Sequence, residues 1–311
     1  MVKFRIYWQK YGTMGMLLLI IAALGIASPK YFLTADNISQ VGLQSAVNLL
    51  LASGEFFALL IAGIDLSVGA IAGLSGMVTG MMLISNVPVP LAILGGICVG
   101  GLLGAINGSL VNATGLHPFV ITLVTQAIFR GPTLVISNGR PLSNFPPSFK
   151  MIASRVFNIP VPVLIAAVVA LLLVFITRKT ILGRNIYALG GNRQAAWYAG
   201  INIKLHTFIV FVISGVMSGI AGLVMTARIG AAEPLAGQGY ETYAIAACII
   251  GGTSFFGGKG KIFGIVIGGL IIGTISNGLN ILNVPSFYQQ IVMGSLIIAS
   301  VSIDKLVGNN K

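Results

Sequence analysis

The sequence contains very little acid. Aspartate and glutamate together number 6 among 311 residues, and all charged residues make up 8% of the chain. Soluble domains carry about 25% charged residues, which cover the surface that faces water. A chain of this composition has too little charge for such a surface, so the sequence excludes an ordinary soluble domain.

Cysteine and histidine are also scarce. Cys98 and Cys248 lie in separate apolar runs, and His117 and His206 have no partner at a spacing typical of metal ligands. No polar segment holds a nucleophile, a base and an orienting group together. We therefore expect no catalytic residues, no metal site and no cofactor.

Apolar residues dominate instead. They make up 56% of the chain, and the mean hydropathy is +0.97. A helix needs roughly 20 apolar residues to cross the hydrocarbon layer. The sequence therefore predicts an all-α, polytopic membrane protein whose residues 1–311 form a single transmembrane domain of about ten helices. The predicted spans are 14–28, 41–63, 66–86, 89–112, 118–136, 161–177, 206–230, 242–257, 262–282 and 286–303.

The basic residues indicate how the chain is oriented. The net charge is +12, but no contiguous basic face with interleaved aromatic residues is visible, which argues against a nucleic-acid partner. With the N-terminus inside the cell, twelve of the 18 Lys and Arg residues fall in cytoplasmic segments. Cytoplasmic loops carry such an excess, so we expect both termini to be cytoplasmic. Residues 178–205 then form a cytoplasmic loop, and residues 137–160 form a periplasmic loop.

Two distant stretches resemble each other. "GLLGAINGSLVNATGLHPF" begins at Gly101, and "GLIIGTISNGLNILNVPSF" begins at Gly269. They fall in the fourth and ninth predicted spans, which run in opposite directions through the membrane. Inverted repeats are a recurring plan in transporters. A chance match between helices rich in Gly, Leu and Ile is the alternative.

One glycine-rich stretch looks like a phosphate-binding loop. In "GGTSFFGGKGK", residues 251–261, Thr253 stands where a Walker motif requires its first glycine, and Gly260 stands where it requires a hydroxyl. Both departures remove groups that hold the phosphates or magnesium. The stretch therefore does not predict a nucleotide site.

The predicted cytoplasmic loop contains a short helical piece, "NRQAAWYAG". Trp197 and Tyr198 are large aromatic residues, which are typical of protein contacts. They are equally typical of anchoring at the level of the lipid headgroups. Composition alone leaves both interpretations open.

Several motifs carry a family resemblance. They are "GIDLSVGAIAGLSG" at 63–76, "GRNIYALGGNRQAAWYAGI" at 183–201 and the stretch at 251–261. From about residue 30 to the C-terminus, the chain resembles the permease subunits of ribose-type sugar ABC importers. The resemblance implies a fold similar to that of the cobalamin-importer permease, with ATP hydrolysis on another subunit.

The same resemblance implies the partners. They are an ABC ATPase subunit with a fused double cassette, a periplasmic sugar-binding protein, membrane lipid, and a second permease copy that forms a homodimer or a related heterodimer. The location implied is the bacterial inner membrane. The cargo implied is a monosaccharide, with ribose as the first expectation and related aldoses open.

In related importers a segment of the form Glu-Ala-Ala, three residues, Gly docks into the ATPase. Gln194, Ala195, Ala196 and Gly200 match this spacing, although Gln194 replaces the acid and removes the basis for a salt bridge. The resemblance thus implies ATPase coupling through Asn192, Arg193, Gln194, Ala195, Ala196, Trp197 and Gly200.

Polar residues within apolar runs are candidates for the translocation path or for helix packing, because such groups are costly in lipid. For Glu55 we favour helix packing or the wall of the path over direct contact with the sugar. Asp65 is expected to cap the third span. Together with Lys259 and Lys261, it is also a candidate for a contact with a partner at the cytoplasmic face. The path or packing candidates are Asn48, Glu55, Asn107, Asn112, Asn277 and Asn280.

Two other functions compete. A permease of the same superfamily could carry branched-chain amino acids. A secondary sugar transporter would need its own site for a coupling ion, and the sequence offers one acid in the middle of a span and no histidine there.

Overall fold

The computed structural model describes residues 2–285, 288–292, 294, 295 and 298. It shows a bundle of helices joined by short irregular segments. The helices are α1 (Val2–Ala27), α2 (Ala35–Leu60), α3 (Val68–Ile84), α4 (Val89–Thr114), α5 (Pro118–Ser137), α6 (Pro147–Lys150), α7 (Val161–Lys179), α8 (Ile181–Gly191), α9 (Arg193–Tyr198), α10 (Ile203–Ile229), α11 (Tyr240–Ile250) and α12 (Ile262–Ile281).

Among the described residues, 6 helices are long and apolar enough to cross a membrane. They are α2, α4, α5, α7, α10 and α12, and the all-α, polytopic prediction is confirmed to that extent. Shorter apolar helices occupy Gly12–Ala27, Val68–Ile84 and Tyr240–Ile250, and they overlap three further predicted spans. The tenth predicted span, 286–303, lies mostly outside the described residues.

One predicted span is wrong in extent. Residues 242–257 were expected to be helical, but α11 ends at Ile250 and residues 251–261 are irregular. At 1.5 Å per residue, α11 is about 16 Å long, which is roughly half of the hydrocarbon layer. The helix ends because Gly252, Gly257 and Gly258 adopt positive φ angles of 82°, 85° and 69°, a region that helices do not use.

An irregular segment precedes each of the two shorter apolar helices α3 and α11. Residues 61–67 lead into α3, and residues 230–239 lead into α11. The segment before α11 packs on α3, since a Cβ atom added at Gly69 of α3 would collide with the carbonyl oxygen of Gly237. Arg130 donates a hydrogen bond to the carbonyl oxygen of Ala236. Irregular backbone is tolerated at membrane depth where protein buries it in this way.

Helices α2 and α10 pack against each other at the centre of the bundle. On one side, α10 packs on α3 and α4, which also pack together. On the other side, α2 packs on α11 and α12, which again pack together. The first set of neighbours therefore mirrors the second.

Glycine allows the closest of these contacts. A Cβ atom added at Gly100 would collide with the carbonyl oxygen of Gly215, and one at Gly104 with that of Phe211. In lipid the hydrophobic effect gives helices no drive to associate, so close backbone approach supplies van der Waals contact instead. The small-residue spacing of α4 and α10 thus serves packing.

The irregular segments gather at two ends of the bundle. One end holds residues 61–63, α8, α9 and residues 251–261, which contact one another. The opposite end holds the segment 137–160, where the strands Arg155–Val156 and Ile159–Pro160 pair antiparallel. There Arg155 Nη1 lies 3.3 Å from Oδ1 of Asp36, a residue at the start of α2.

Candidate functional site

A polar pocket lies between α2, α10, α11 and α12, at the end of the bundle opposite α9. Its volume is about 210 Å³, well above the roughly 10–15 Å³ that a single water molecule requires. The pocket can therefore hold a small polar solute. Its walls are Gln44, Asn48, Arg228, Gln238, Tyr240, Tyr243, Ser276, Asn280 and Gln289.

Nearly all of the lining side chains are neutral groups that form hydrogen bonds. Side-chain amides supply both donors and acceptors, and Tyr240 and Tyr243 place two rings beside them, with centroids 5.5 Å apart. Arg228 is the one charged side chain among the lining residues that the structure describes. Such a surface suits a neutral solute with many hydroxyl groups.

The asparagines predicted for the path or for helix packing lie in different parts of the structure. Asn48 and Asn280 line the pocket. Asn277 instead donates a hydrogen bond to the side-chain oxygen of Asn37 at 2.8 Å, which ties α12 to the start of α2. Asn112 is partly buried at the far end of the bundle and donates to the carbonyl oxygen of Lys204 at 2.8 Å. The pocket is therefore one of several places where these amides lie.

Glu55 belongs to a buried cluster away from the pocket. Its two carboxylate oxygens accept the backbone N–H of Asp65 at 3.3 and 3.1 Å. Ser67 donates through its N–H and its hydroxyl to Asp65 Oδ1, and Ser214 donates to Asp65 Oδ2 at 2.7 Å. Asn107 completes the cluster by donating to Ser67 Oγ at 2.8 Å.

The buried cluster joins four elements of the bundle. Glu55 is on α2, Asn107 on α4 and Ser214 on α10, while Asp65 and Ser67 precede α3. The only ion pair in the described part of the chain is that of Arg155 with Asp36, so neither acid of the cluster has a basic partner there. Hydrogen bonds from backbone and hydroxyl groups stabilise the two acids instead, because an unpaired buried polar group is costly. This agrees with helix packing as the role of Glu55.

Both expectations for Asp65 are wrong. Its carboxylate bonds the N–H of Ser67, the residue before α3, and leaves the N–H groups of the first helical turn uncapped. Its side chain is fully buried, so it has no surface with which to contact another subunit. The reason is that the chain turns back into the bundle after α2. Lys259 and Lys261, by contrast, are exposed.

At the end opposite the pocket, the backbone atoms of three residues contact one another. These residues are Leu60, Gly190 and Gly258, and we term their contact the backbone clasp. The N–H of Gly258 donates to the carbonyl oxygen of Leu60 at 2.9 Å. A Cβ atom added at Gly190 would collide with that same oxygen. The clasp therefore fixes α8 and the 251–261 stretch to the end of α2.

A tyrosine reinforces the clasp. The hydroxyl of Tyr187 donates to the carbonyl oxygen of Gly260 at 2.8 Å. Burial raises the pKa of this hydroxyl above its ordinary value, although the charge of Arg178 opposes the shift. The hydroxyl therefore keeps its proton and its role as a donor.

The short helix α9 follows the clasp directly. Asn192 caps it by accepting the N–H of Ala195 at 2.9 Å, while Arg193, Gln194 and Gly200 are exposed. Trp197 and Tyr198 are 60% and 73% exposed. These side chains are free to contact a partner.

One of the predicted coupling residues does not face outward. Ala196 is buried and packs with the core of the bundle, so its expected contact with an ATPase is wrong. Its small side chain lets α9 lie close against the bundle. Ala195, one position earlier, is exposed.

Sequence reasoning missed most of the pocket and part of the buried cluster. Single serines such as Ser67 and Ser214 give no signal within an apolar run. Arg228 was a weak signal, because basic residues often lie at the ends of membrane helices, where their side chains reach the interface. The tyrosines of "GYETYA" offered another, at the start of α11, whose end the sequence placed wrongly.

Comparison with known proteins bears on the whole chain. The family described as "Branched-chain amino acid transport system / permease component" matches residues 37–301. The chain belongs to this permease family. It is therefore a multi-pass membrane protein of a transport system, and its described helices agree with that assignment.

Individual relatives of the permease are named for sugars. The D-allose transport system permease protein AlsC of Escherichia coli (strain K12) is 60% identical over 307 residues, covering 98% of this chain and 94% of the relative. The ribose import permease protein RbsC of Haemophilus influenzae is 41% identical, covering 95% and 93%. That of Bacillus subtilis is also 41% identical, covering 96% and 93%. No solved structure matches the permease.

The buried cluster predicts an asymmetry between two serines on α10. Ser214→Ala leaves Asp65 Oδ2 without its donor, and an unsatisfied buried group costs about 1–3 kcal/mol. Ser218→Ala, one turn later, removes a hydroxyl that has no partner in the described part of the chain. We expect only the first variant to lower the midpoint of unfolding in detergent. Equal losses would contradict the assignment.

The backbone clasp predicts an asymmetry between two adjacent glycines. Gly190→Ala forces a methyl group against Leu60, whereas Gly191→Ala meets nothing within 4 Å. Overpacking costs about 1–3 kcal/mol, which raises the open population of the segment about fivefold or more. Trypsin should therefore cut the Gly190 variant faster at Arg193 and Lys204, while the Gly191 variant behaves as the parent. Indistinguishable cleavage rates would show that no clasp exists.

Proposed function

We propose that the permease forms the membrane path of an ATP-driven importer for a monosaccharide in the bacterial inner membrane. The observation that carries this proposal is the polar, amide-lined pocket in an otherwise apolar bundle. The relatives named for allose and ribose support it. Hydroxyl groups of a sugar bond to amides in both directions, so Asn48 and Asn280 are suited to contact it without holding it tightly.

The pocket favours a sugar over a branched-chain amino acid. An amino acid carries an ammonium group, which is costly to desolvate without an anionic partner. The described lining holds no carboxylate, and its one charge is the positive charge of Arg228. A neutral aldose needs no such partner. The amino acid alternative is therefore weaker here, although the family description names that cargo.

D-allose is our first candidate among the aldoses. The relative named for D-allose is 60% identical to the permease, against 41% for those named for ribose. The ring of allopyranose differs from that of ribopyranose by one hydroxymethyl group. Ribose, the first expectation from the sequence, is therefore a natural competitor for the same path.

The energy source in this proposal is a separate ATPase subunit, with a fused double cassette. The exposed residues of α9 would contact it at the cytoplasmic face. A second copy of the permease and a periplasmic sugar-binding protein would complete the importer. The exposed Trp197 and the basic, acid-free sequence of residues 178–204 support such a contact.

We also propose ten membrane helices in two inverted halves, similar to the cobalamin-importer permease. The mirrored packing supports this: α10 lies against α3 and α4 as α2 lies against α11 and α12. The irregular segments before α3 and α11 occupy corresponding places in the two halves. Short, interrupted helices at such places are typical of transporters built from inverted repeats.

In this arrangement the pocket opens toward the periplasm, and α9 and both termini face the cytoplasm. The distribution of Lys and Arg supports this orientation. The segment 137–160 then lies at the periplasmic surface, close to the mouth of the pocket. It is therefore placed to meet the sugar-binding protein.

Reconstitution tests the proposed function. Liposomes holding the permease with its ATPase, and supplied with the binding protein, should accumulate labelled D-allose when given ATP. Unlabelled ribose should compete more strongly than leucine. The permease alone should neither hydrolyse ATP nor concentrate a sugar. Sugar accumulation by the permease alone would instead identify a secondary transporter.

The pocket gives a sharper prediction. Asn48→Ala removes an amide from its wall, and one hydrogen bond contributes about 0.5–1.5 kcal/mol. We expect uptake per inserted permease to fall about threefold to tenfold. Asn112→Ala, far from the pocket, serves as the control and should transport normally. Unchanged uptake in the Asn48 variant would remove the pocket from the path.

A further inference from the structure

Two adjacent phenylalanines of the 251–261 stretch have different surroundings. Phe255 is partly buried and packs against the core, whereas Phe256 is 72% exposed. Their rings meet edge to face, with centroids 6.2 Å apart. Phe256 stands close in sequence to the exposed Lys259 and Lys261, beyond the end of α11. Aromatic residues such as phenylalanine are enriched in protein contact surfaces.

Hydrogen bonds fix the position of Phe256. The N–H of Ser254 donates to the carbonyl oxygen of Lys259 at 2.9 Å, which closes the loop. The N–H of Phe256 donates to Ser254 Oγ at 3.2 Å. Gly257 and Gly258 have positive φ angles, which most other residues rarely adopt. The ring is therefore presented by a closed turn.

The backbone clasp places this turn beside α9. Phe256 is two residues from Gly258, and Asn192 is two residues from Gly190, which contacts Gly258. Because consecutive Cα atoms are 3.8 Å apart, the Cα atoms of Phe256 and Asn192 lie within about 20 Å. A stable interface buries about 800 Å² on each partner, which is more than the six residues of α9 present. A partner that binds α9 therefore needs further surface, and the turn lies within its reach.

The charged residues of α9, of the turn and of their neighbouring segments are all basic. Residues 178–204 and 251–261 contain no aspartate or glutamate. A complementary partner is acidic around an apolar recess for an aromatic ring. The basic residues of the two segments are Arg178, Lys179, Arg184, Arg193, Lys204, Lys259 and Lys261.

We infer that residues 254–261 form a second docking surface for the ATPase subunit, next to α9. Phe256 is its apolar anchor, and Lys259 and Lys261 pair with acidic groups of the ATPase. The inference rests on the proposed function, because it takes the ATPase as the partner of α9. It also gives the glycine-rich stretch a role that needs no nucleotide.

The test uses the full permease, expressed with its ATPase and extracted in detergent. We expect Phe256→Ser to weaken ATPase binding about tenfold per permease. Lys259→Glu should weaken it less, and raised salt should reduce the difference from the parent. Phe175→Ser is the matched control, since Phe175 is 60% exposed on α7 and lies outside both docking segments. Trp197→Ser probes α9 in the same assay.

The outcomes separate the inference from the proposed function. Loss of ATPase binding in both the Phe256 and the Trp197 variants, with the Phe175 variant unaffected, supports the second docking surface. If only the Trp197 variant loses the ATPase, the inference is overturned and the proposed function stands. If the Phe256 variant merely inserts less well, its ring is a lipid anchor and the inference is overturned. An unaltered permease that binds no ATPase overturns both.

Discussion

Within a membrane, every backbone N–H and C=O group needs a partner inside the protein, and this requirement shapes the permease. Helices meet it alone, but residues 61–67 and 230–239 leave the helical conformation within the bundle. Their polar groups are satisfied by the buried cluster around Asp65 and by Arg130, which holds the carbonyl oxygen of Ala236. Contact between Gly69 of α3 and Gly237 then holds the second segment against α3. The centre of the bundle depends on these contacts.

The same breaks bring polar groups into the bundle. The segment before α11 brings Gln238 and Tyr240 to the pocket, where Asn48 of α2 faces them. The segment before α3 carries Asp65 into the buried cluster, where Ser214 of α10 meets it. Helices α2 and α10 thus each contribute to both polar sites, α2 through Asn48 and Glu55 and α10 through Arg228 and Ser214.

The backbone clasp connects the outer surface of α9 to this interior. Leu60 ends α2, the helix that carries both Glu55 of the cluster and Asn48 of the pocket. Gly190 and Gly258 hold α8 and the 251–261 stretch against that end. Displacement of α9 would therefore act on α2 through backbone contacts, which deform less than long side chains.

The sequence by itself determined the class of protein, because hydropathy and scarce charge suffice to predict apolar helices. It placed most helices correctly, and it singled out Asn48 and Asn280, which line the pocket, and Lys259, which is exposed. Only the tertiary structure decided which amides share a pocket, that Asp65 and Ala196 face inward, and that Phe256 is exposed beside α9. These outcomes depend on how irregular segments fold back between helices. Such contacts join residues far apart in sequence, and no local pattern records them.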